Sequence, residues 1–214
     1  MASMPVTNGK RLRVLGVDPA VAGATGYGIV EFEGASQRSL RFGALKLPAR
    51  ASFASRLREI HQLIANLVEE FAPDAVAVES VFTALNARTA LRLAEMRGVV
   101  LLAAAQAEVP AHSYSPREVK ASVAGYGAAS KHQLQQMVSS SLGLAEVPEP
   151  ADASDALAVA LCHAHLSRAR DRMAAATAQE RGRMATRPLA KLSRTPAGSK
   201  PSSRNLNPRI QHWR

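Results

Sequence analysis

The sequence predicts an α/β domain with a central mixed β-sheet flanked by helices, and three observations lead there. Three strand-like runs come before any helical pattern, at 13–18, 26–33 and 39–47. Helical and strand patterns then alternate as far as a final helix near residue 168. A length of 214 residues with 47% hydrophobic content suffices for one full-sized core.

Each element has its own signal. RVLGVD (13–18) is a short apolar strand ending on an acid, and GYGIVEFE (26–33) is a second, separated from it by the turn PAVAGAT (19–25). SLRFGALKL (39–47) reads as a third. From Ser55 to Phe71 the apolar positions Leu57, Ile60, Leu63, Ile64, Leu67 and Val68 recur at helical spacing. Pro73 ends that helix, and AVAVES (75–80) is a buried strand with polar last residues. An Ala/Leu helix is expected over 86–106, a strand over 111–115, and a short helix from Pro116 to Val123. Ser130 can cap a helix reaching Leu142. A linker with two prolines covers 141–150, and the last helix spans about 152–168.

Charge divides the chain unevenly. Residues 1–167 hold 15 Lys+Arg and 15 Asp+Glu, whereas residues 168–214 hold 12 and 2, so the net +10 lies entirely in the last fifth. Such a tail suits an anionic polymer, because neutralising phosphates releases condensed counterions. The expected organisation is a flexible leader over 1–10, one domain over 11–170, and a basic, disordered tail over 171–214, where large apolar residues become scarce. The one cysteine, Cys162, excludes an intramolecular disulfide. With no signal-like segment and no long apolar run, the expectation is a cytoplasmic protein that does not span a membrane.

Four acids stand out by position. Asp18 and Glu79 each end an apolar strand, the edge at which open α/β sheets build their sites. Asp152 and Asp155 are three apart at a helix start, so they share one face near its positive end. If the strands are neighbours and the helix crosses their ends, all four carboxylates converge. Such a cluster repels itself unless cations neutralise it. Hard divalent ions, Mg²⁺ first, suit an all-oxygen set, and two of them about 3.5–4 Å apart clamp a phosphodiester. Singly, each acid could be an ordinary turn or helix-end residue.

Together with GVDPA…TGYG (16–28), AVESVF (77–82), NARTALRLAEMRGV (86–99), REVK (117–120), KHQLQQMV (131–138) and ADASDALAVALCHAH (151–165), these acids give the chain its resemblance. Six segments, in order and at the family's spacing, resemble RuvC-type Holliday-junction resolvases over 13–168. The resemblance implies an RNase H-like fold, a homodimer, and Mg²⁺-dependent nicking of two opposed strands in a four-way DNA junction, leaving 5′ phosphates. It implies two Mg²⁺ per site, with Mn²⁺ as a possible substitute, and a branch-migration helicase complex as partner. Asp18, Glu79, Asp152 and Asp155 match the family's metal-binding catalytic acids. Lys120 and Lys131 match basic residues near the scissile phosphate, and Phe82 matches an aromatic that contacts junction DNA.

Each has a physical rationale. The lysines could bind phosphate or steady transition-state charge, against a role as solvated helix lysines. Phe82 could stack on an unpaired base or belong to the core. One departure is the turn Ala20–Ala24, which lacks the family's Gly-Ser-Arg-like character. Cys162, His163 and His165 do not have zinc spacing. Gly98 and the alanines of 86–106 permit close approach of another helix, which the resemblance assigns to the dimer.

Three rival functions compete with this reading, and the last two are disfavoured by the length of 214 residues and by the presence of all four acids. The first is an RNase H-like nuclease acting on RNA or another branched nucleic acid. The second is an actin-like ATPase or sugar kinase, which needs two such domains and a second phosphate loop. The third is a non-catalytic junction binder, which would have lost an acid.

Overall fold

The computed structural model describes residues 11–21, 23–48, 50–80 and 86–185, the last with side chains to 181. Three strands open the fold: β1 (Leu12–Asp18), β2 (Thr25–Glu33) and β3 (Ser36–Leu45). Then come α1 (Phe53–Phe71), β4 (Ala75–Glu79), α2 (Ala87–Gln106), β5 (Ala111–Tyr114), α3 (Pro116–Ala124), α4 (Lys131–Leu142) and α5 (Ala151–Ala185). The sheet order is β3-β2-β1-β4-β5. The first three strands form an antiparallel meander, while β4 and β5 add parallel to β1. The predicted mixed sheet is therefore present, with every expected element in place.

Strand alternation sorts side chains to the two faces. Leu15, Val17, Ile29, Val76 and Val78 pack on one face against Ile60, Ile64 and Leu67 of α1 and Met96, Val100 and Ala104 of α2. Val14, Val30, Phe32 and Ala77 pack on the other against Val119 of α3, Leu134 and Val138 of α4, and Leu157 and Leu161 of α5. Helices thus cover both faces, which is why the stretches Val14–Val17 of β1 and Ala75–Val78 of β4 are apolar without interruption.

Helix starts follow local chemistry. Ser115 and Ser130 each form a capping box, with Glu118 and Gln133 respectively, and Asn86 accepts from Thr89 N–H. Two element starts differ from expectation by two residues or more. Helix α1 begins at Phe53 because Ser52 is its cap, accepting from Ser55 N–H at 3.1 Å. Strand β3 begins at Ser36, since Gly34, with φ of 56°, makes a tight hairpin with β2. The polar run Ser36–Arg38 concealed that pairing.

A larger correction concerns the last helix. It does not stop near residue 168 but runs to Ala185, so residues 171–185 are helical and not a disordered tail. The segment MAAATAQE is rich in good helix formers, and helix formation needs propensity, not large apolar side chains. Their scarcity predicts exposure, which is what residues 171–181 show. One compact unit ends at Met173, and a second covers Ala174–Arg214, described as helix up to Ala185. Among the described residues no helix is long and apolar enough to cross a membrane.

Candidate active site

The parallel pairing of β1 and β4 places the first two acids. Gly16 lies opposite Ala77 and Val17 opposite Val78, so Asp18 and Glu79 follow one step further on adjacent strands. By alternation both share the face of Gly16 and Ala77, the face covered by α5. A side-chain hydrogen bond joins the two carboxyls.

Three glycines bring α5 close enough to complete the set. A Cβ on Gly16 would stand 2.0 Å from Ala156 O, and one on Gly26 would stand 1.9 Å from Asp152 O. At Gly28 it would meet Leu157 Cδ2 at 2.6 Å. No side chain fits between this part of the sheet and the helix, so the first turns of α5 rest on bare backbone. That contact sets Asp152 and Asp155 beside Asp18, which pairs with Gly26 across β1 and β2. The sequence carries a signal for this platform in Gly26 and Gly28, two apart on one strand face.

The electrostatics follow from the crowding. Asp18 is pushed up to about 9, first by burial, then by the charge of Glu79 and its hydrogen bond, then by Asp155 and Asp152. Glu79 is also raised, chiefly by burial, and is partly relieved by Asp18, Lys131 and Lys120. At neutral pH Asp18 holds a proton and donates it to the Glu79 carboxylate. Lys131, the first residue of α4, donates from Nζ to Asp155 Oδ2 at 2.7 Å, and this partner holds its pKa above the usual lysine value.

A cleft of about 170 Å³ opens beside the acids, lined by Glu79, Lys120, Lys131, Asp155 and the apolar Pro116, Val119, Leu134 and Val159. The structure thus gathers Asp18, Glu79, Asp152, Asp155, Lys120 and Lys131 into one neighbourhood. Phe82 lies outside the described residues. Among the described residues, no three acidic, histidine or cysteine side chains stand close enough to enclose an ion as they are placed. The Lys131 bond on Asp155 occupies an oxygen that a cation would take. The donor set still fits hard divalent ions, because it is made of carboxylates, and a cation would offset both the burial and the neighbouring charges that raise Asp18.

These features, a mixed sheet with acids at two adjacent strand ends and two more on the crossing helix, have a counterpart among known proteins. A family model described as crossover junction endodeoxyribonuclease RuvC matches residues 14–163. The chain belongs to the RuvC family. A crossover junction endodeoxyribonuclease RuvC from Chloroflexus aurantiacus is 47% identical over 154 residues, covering 72% of this chain and 93% of the relative. Another from Natranaerobius thermophilus is 44% identical over 160 residues, covering 75% and 99%.

Solved structures agree. Thermus thermophilus RuvC superposes with a TM-score of 0.68 at 36% identity, covering 73% of this chain and 96% of that one. The same organism's RuvC in complex with a Holliday junction substrate gives 0.67 at 35%, with the same coverage. The yeast mitochondrial Holliday junction resolvase, at 15% identity and a TM-score of 0.52, shares the fold. The RuvC match makes the fold RNase H-like, as expected. Residues beyond 163 lie outside the family match, the last turns of α5 among them.

The histidine pair of α5 belongs elsewhere. His163 Nδ1 lies 2.8 Å from Tyr114 Oη, and its ring lies 4.6 Å from that of His112. Burial, then His112 and Arg170, lower its pKa to about 4, so it is a neutral packing residue. Cys162 is fully buried with its thiol pushed up to about 11, chiefly by burial, which makes it unreactive.

Proposed function

We propose that this protein is a structure-selective endodeoxyribonuclease that resolves four-way DNA junctions by hydrolysing phosphodiesters on two opposed strands. The observation that carries this reading is the convergence of Asp18, Glu79, Asp152 and Asp155 at the α5 contact, beside a cleft bearing two lysines, in a chain of the RuvC family. A relative of 35% identity has been solved with a Holliday junction substrate.

Asp18, Glu79, Asp152 and Asp155 would hold two Mg²⁺, or Mn²⁺ in their place. When bound, such ions supply Lewis-acid activation of water and neutralise charge on the scissile phosphate. The protein's own part is positional. Burial keeps Asp18 and Glu79 poor at carrying charge alone, so loading requires the shared proton to leave and affinity rises with pH. Lys131 fixes Asp155 in the first turns of α5 until ions and substrate compete for it. Lys120, which also lines the cleft, is placed to pair with a phosphate oxygen and steady the charge that develops in the transition state. Phe82 is assigned a stacking contact with junction DNA.

A four-way junction presents two equivalent strands, which a two-fold dimer can meet with two sites. Helix α2 offers the surface for that dimer. It exposes Leu91 at 66% and Leu102 at 52%, and a Cβ on Gly98 would meet nothing within 4 Å. Association with a branch-migration helicase is part of the same reading.

The test is cleavage of a strand-labelled synthetic junction with Mg²⁺, beside a linear duplex of the same sequence. Paired symmetric nicks, on the junction alone, with 5′ phosphates, are expected. Equal cutting of the duplex, or preference for an RNA-containing substrate, would overturn the junction assignment.

A further inference from the structure

Between the two lysines of the cleft runs the α3–α4 connection, residues 125–130, and its most exposed large side chain is an aromatic one. Tyr126 is 48% exposed. Its ring does not hang free, however. Its hydroxyl donates to Gln133 Oε1 at 2.6 Å. The same oxygen accepts from Ser130 N–H at 2.9 Å as part of the α4 capping box. Tyr126 is thereby tied to the first turn of α4, the turn that carries Lys131.

The backbone around it is equally constrained. Gly125 takes φ of +85°, a conformation side chains rarely adopt, and Ala129 N–H bonds back to Tyr126 O at 3.3 Å. A Cβ on Gly127 would stand 2.7 Å from Arg117 Cγ, so the loop lies against α3, three residues from Lys120. A half-exposed aromatic ring, anchored through its hydroxyl to the turn that carries Lys131 and lying between the two cleft lysines in sequence, gains little for the fold from its exposed face. What it offers is a stacking surface with its ordering cost already met.

We infer that Tyr126 is a DNA-positioning residue, whose ring packs against a base or deoxyribose of the strand led into the cleft while Lys120 and Lys131 engage its phosphates. Nucleobases supply flat faces, and their stacking on aromatic side chains tolerates sequence. The partner of this ring is a nucleotide near the phosphate that Lys131 engages, since both side chains are held by the first turn of α4. The inference rests on the nuclease reading above and adds a residue to it.

The decisive experiment is binding of the full chain, in EDTA to prevent cutting, to four-way junctions carrying 2-aminopurine at single positions flanking the cut site. With the wild-type chain, emission at one of those positions is expected to change on binding. Tyr126→Phe, which keeps the ring, should preserve that change and most of the affinity. Tyr126→Ala should abolish it and raise Kd roughly ten-fold or more, with little shift in Tm. Equal losses in Tyr126→Phe and Tyr126→Ala, accompanied by a lower Tm, would make the residue a loop clamp and overturn the inference. So would an unchanged emission response in Tyr126→Ala. A wild-type chain that neither binds nor cuts the junction would overturn the nuclease reading itself, and this inference with it.

Discussion

Asp18 shows how a residue can be stable in the wrong charge state for its function. Its folded pKa of about 9 lies above the 3.8 of an ordinary aspartate, so the folded state holds the proton more tightly than the unfolded chain does. Without divalent ions, stability must therefore fall as pH rises between those two values. Melting in EDTA at about pH 5 and about pH 8.5 should show the loss. Asp18→Asn, which cannot ionise, should flatten it and raise Tm by a few degrees at the higher pH. An unchanged pH slope in the variant would contradict the origin assigned to the shift. His163 works in the opposite sense. Its folded pKa of about 4 lies below the usual 6.5, so its contribution is complete above 6.5 and is lost as pH falls toward 4. A variant His163→Asn should lose less stability over that acid window, by denaturant midpoint, than the wild type.

At the scale of elements the site depends on how closely α5 lies on the sheet. The helix contacts Gly16 and Gly26 through its own backbone, which cannot rotate aside. Gly16→Ala should destabilise the fold by roughly 1–3 kcal/mol or more, since overpacking displaces a whole helix. Cutting should fall further than stability does, because that movement carries Asp152 and Asp155 away from Asp18. Denaturation and single-turnover cleavage on the same preparation would separate the two losses. Wild-type activity in Gly16→Ala would show that the contact does not position the acids.

Much of this was legible in the sequence. Asp18 and Glu79 could be placed because apolar runs ended on them, and Asp152 with Asp155 because a spacing of three shares a helix face. Other features depend on partners far apart in the chain. Neither the bond from Lys131 to Asp155 nor the one from Tyr114 to His163 has a local signature, and each needs the fold to bring its ends together. The extent of α5 was missed for a different reason. Exposure and disorder share a polar composition, and only the alanines of 174–176 and 178 separated them. The tight β2–β3 hairpin was hidden likewise by polar residues on an edge strand.

For the whole molecule, two expectations join charge and symmetry to function. Residues 186–214 hold seven Lys+Arg and no Asp or Glu. Their deletion should weaken junction binding and make log Kd less steep against log salt concentration, by several phosphate contacts at most. An identical slope would mean that the segment makes no ionic contact with DNA. A Cβ added at Gly98 meets nothing within 4 Å among the described residues, so the Gly98→Leu protomer should fold. If α2 forms the dimer, that variant should sediment as a monomer and lose paired nicking.

The central claim is that four carboxylates brought together by one helix contact do the cutting in a chain built to hold junction DNA. Its most direct test is Asp18→Asn beside the wild type, measured for both cleavage and binding of a labelled four-way junction with Mg²⁺. The account predicts that cleavage falls by roughly three orders of magnitude or more, while Kd stays within about three-fold. Cutting at the wild-type rate by Asp18→Asn would contradict it.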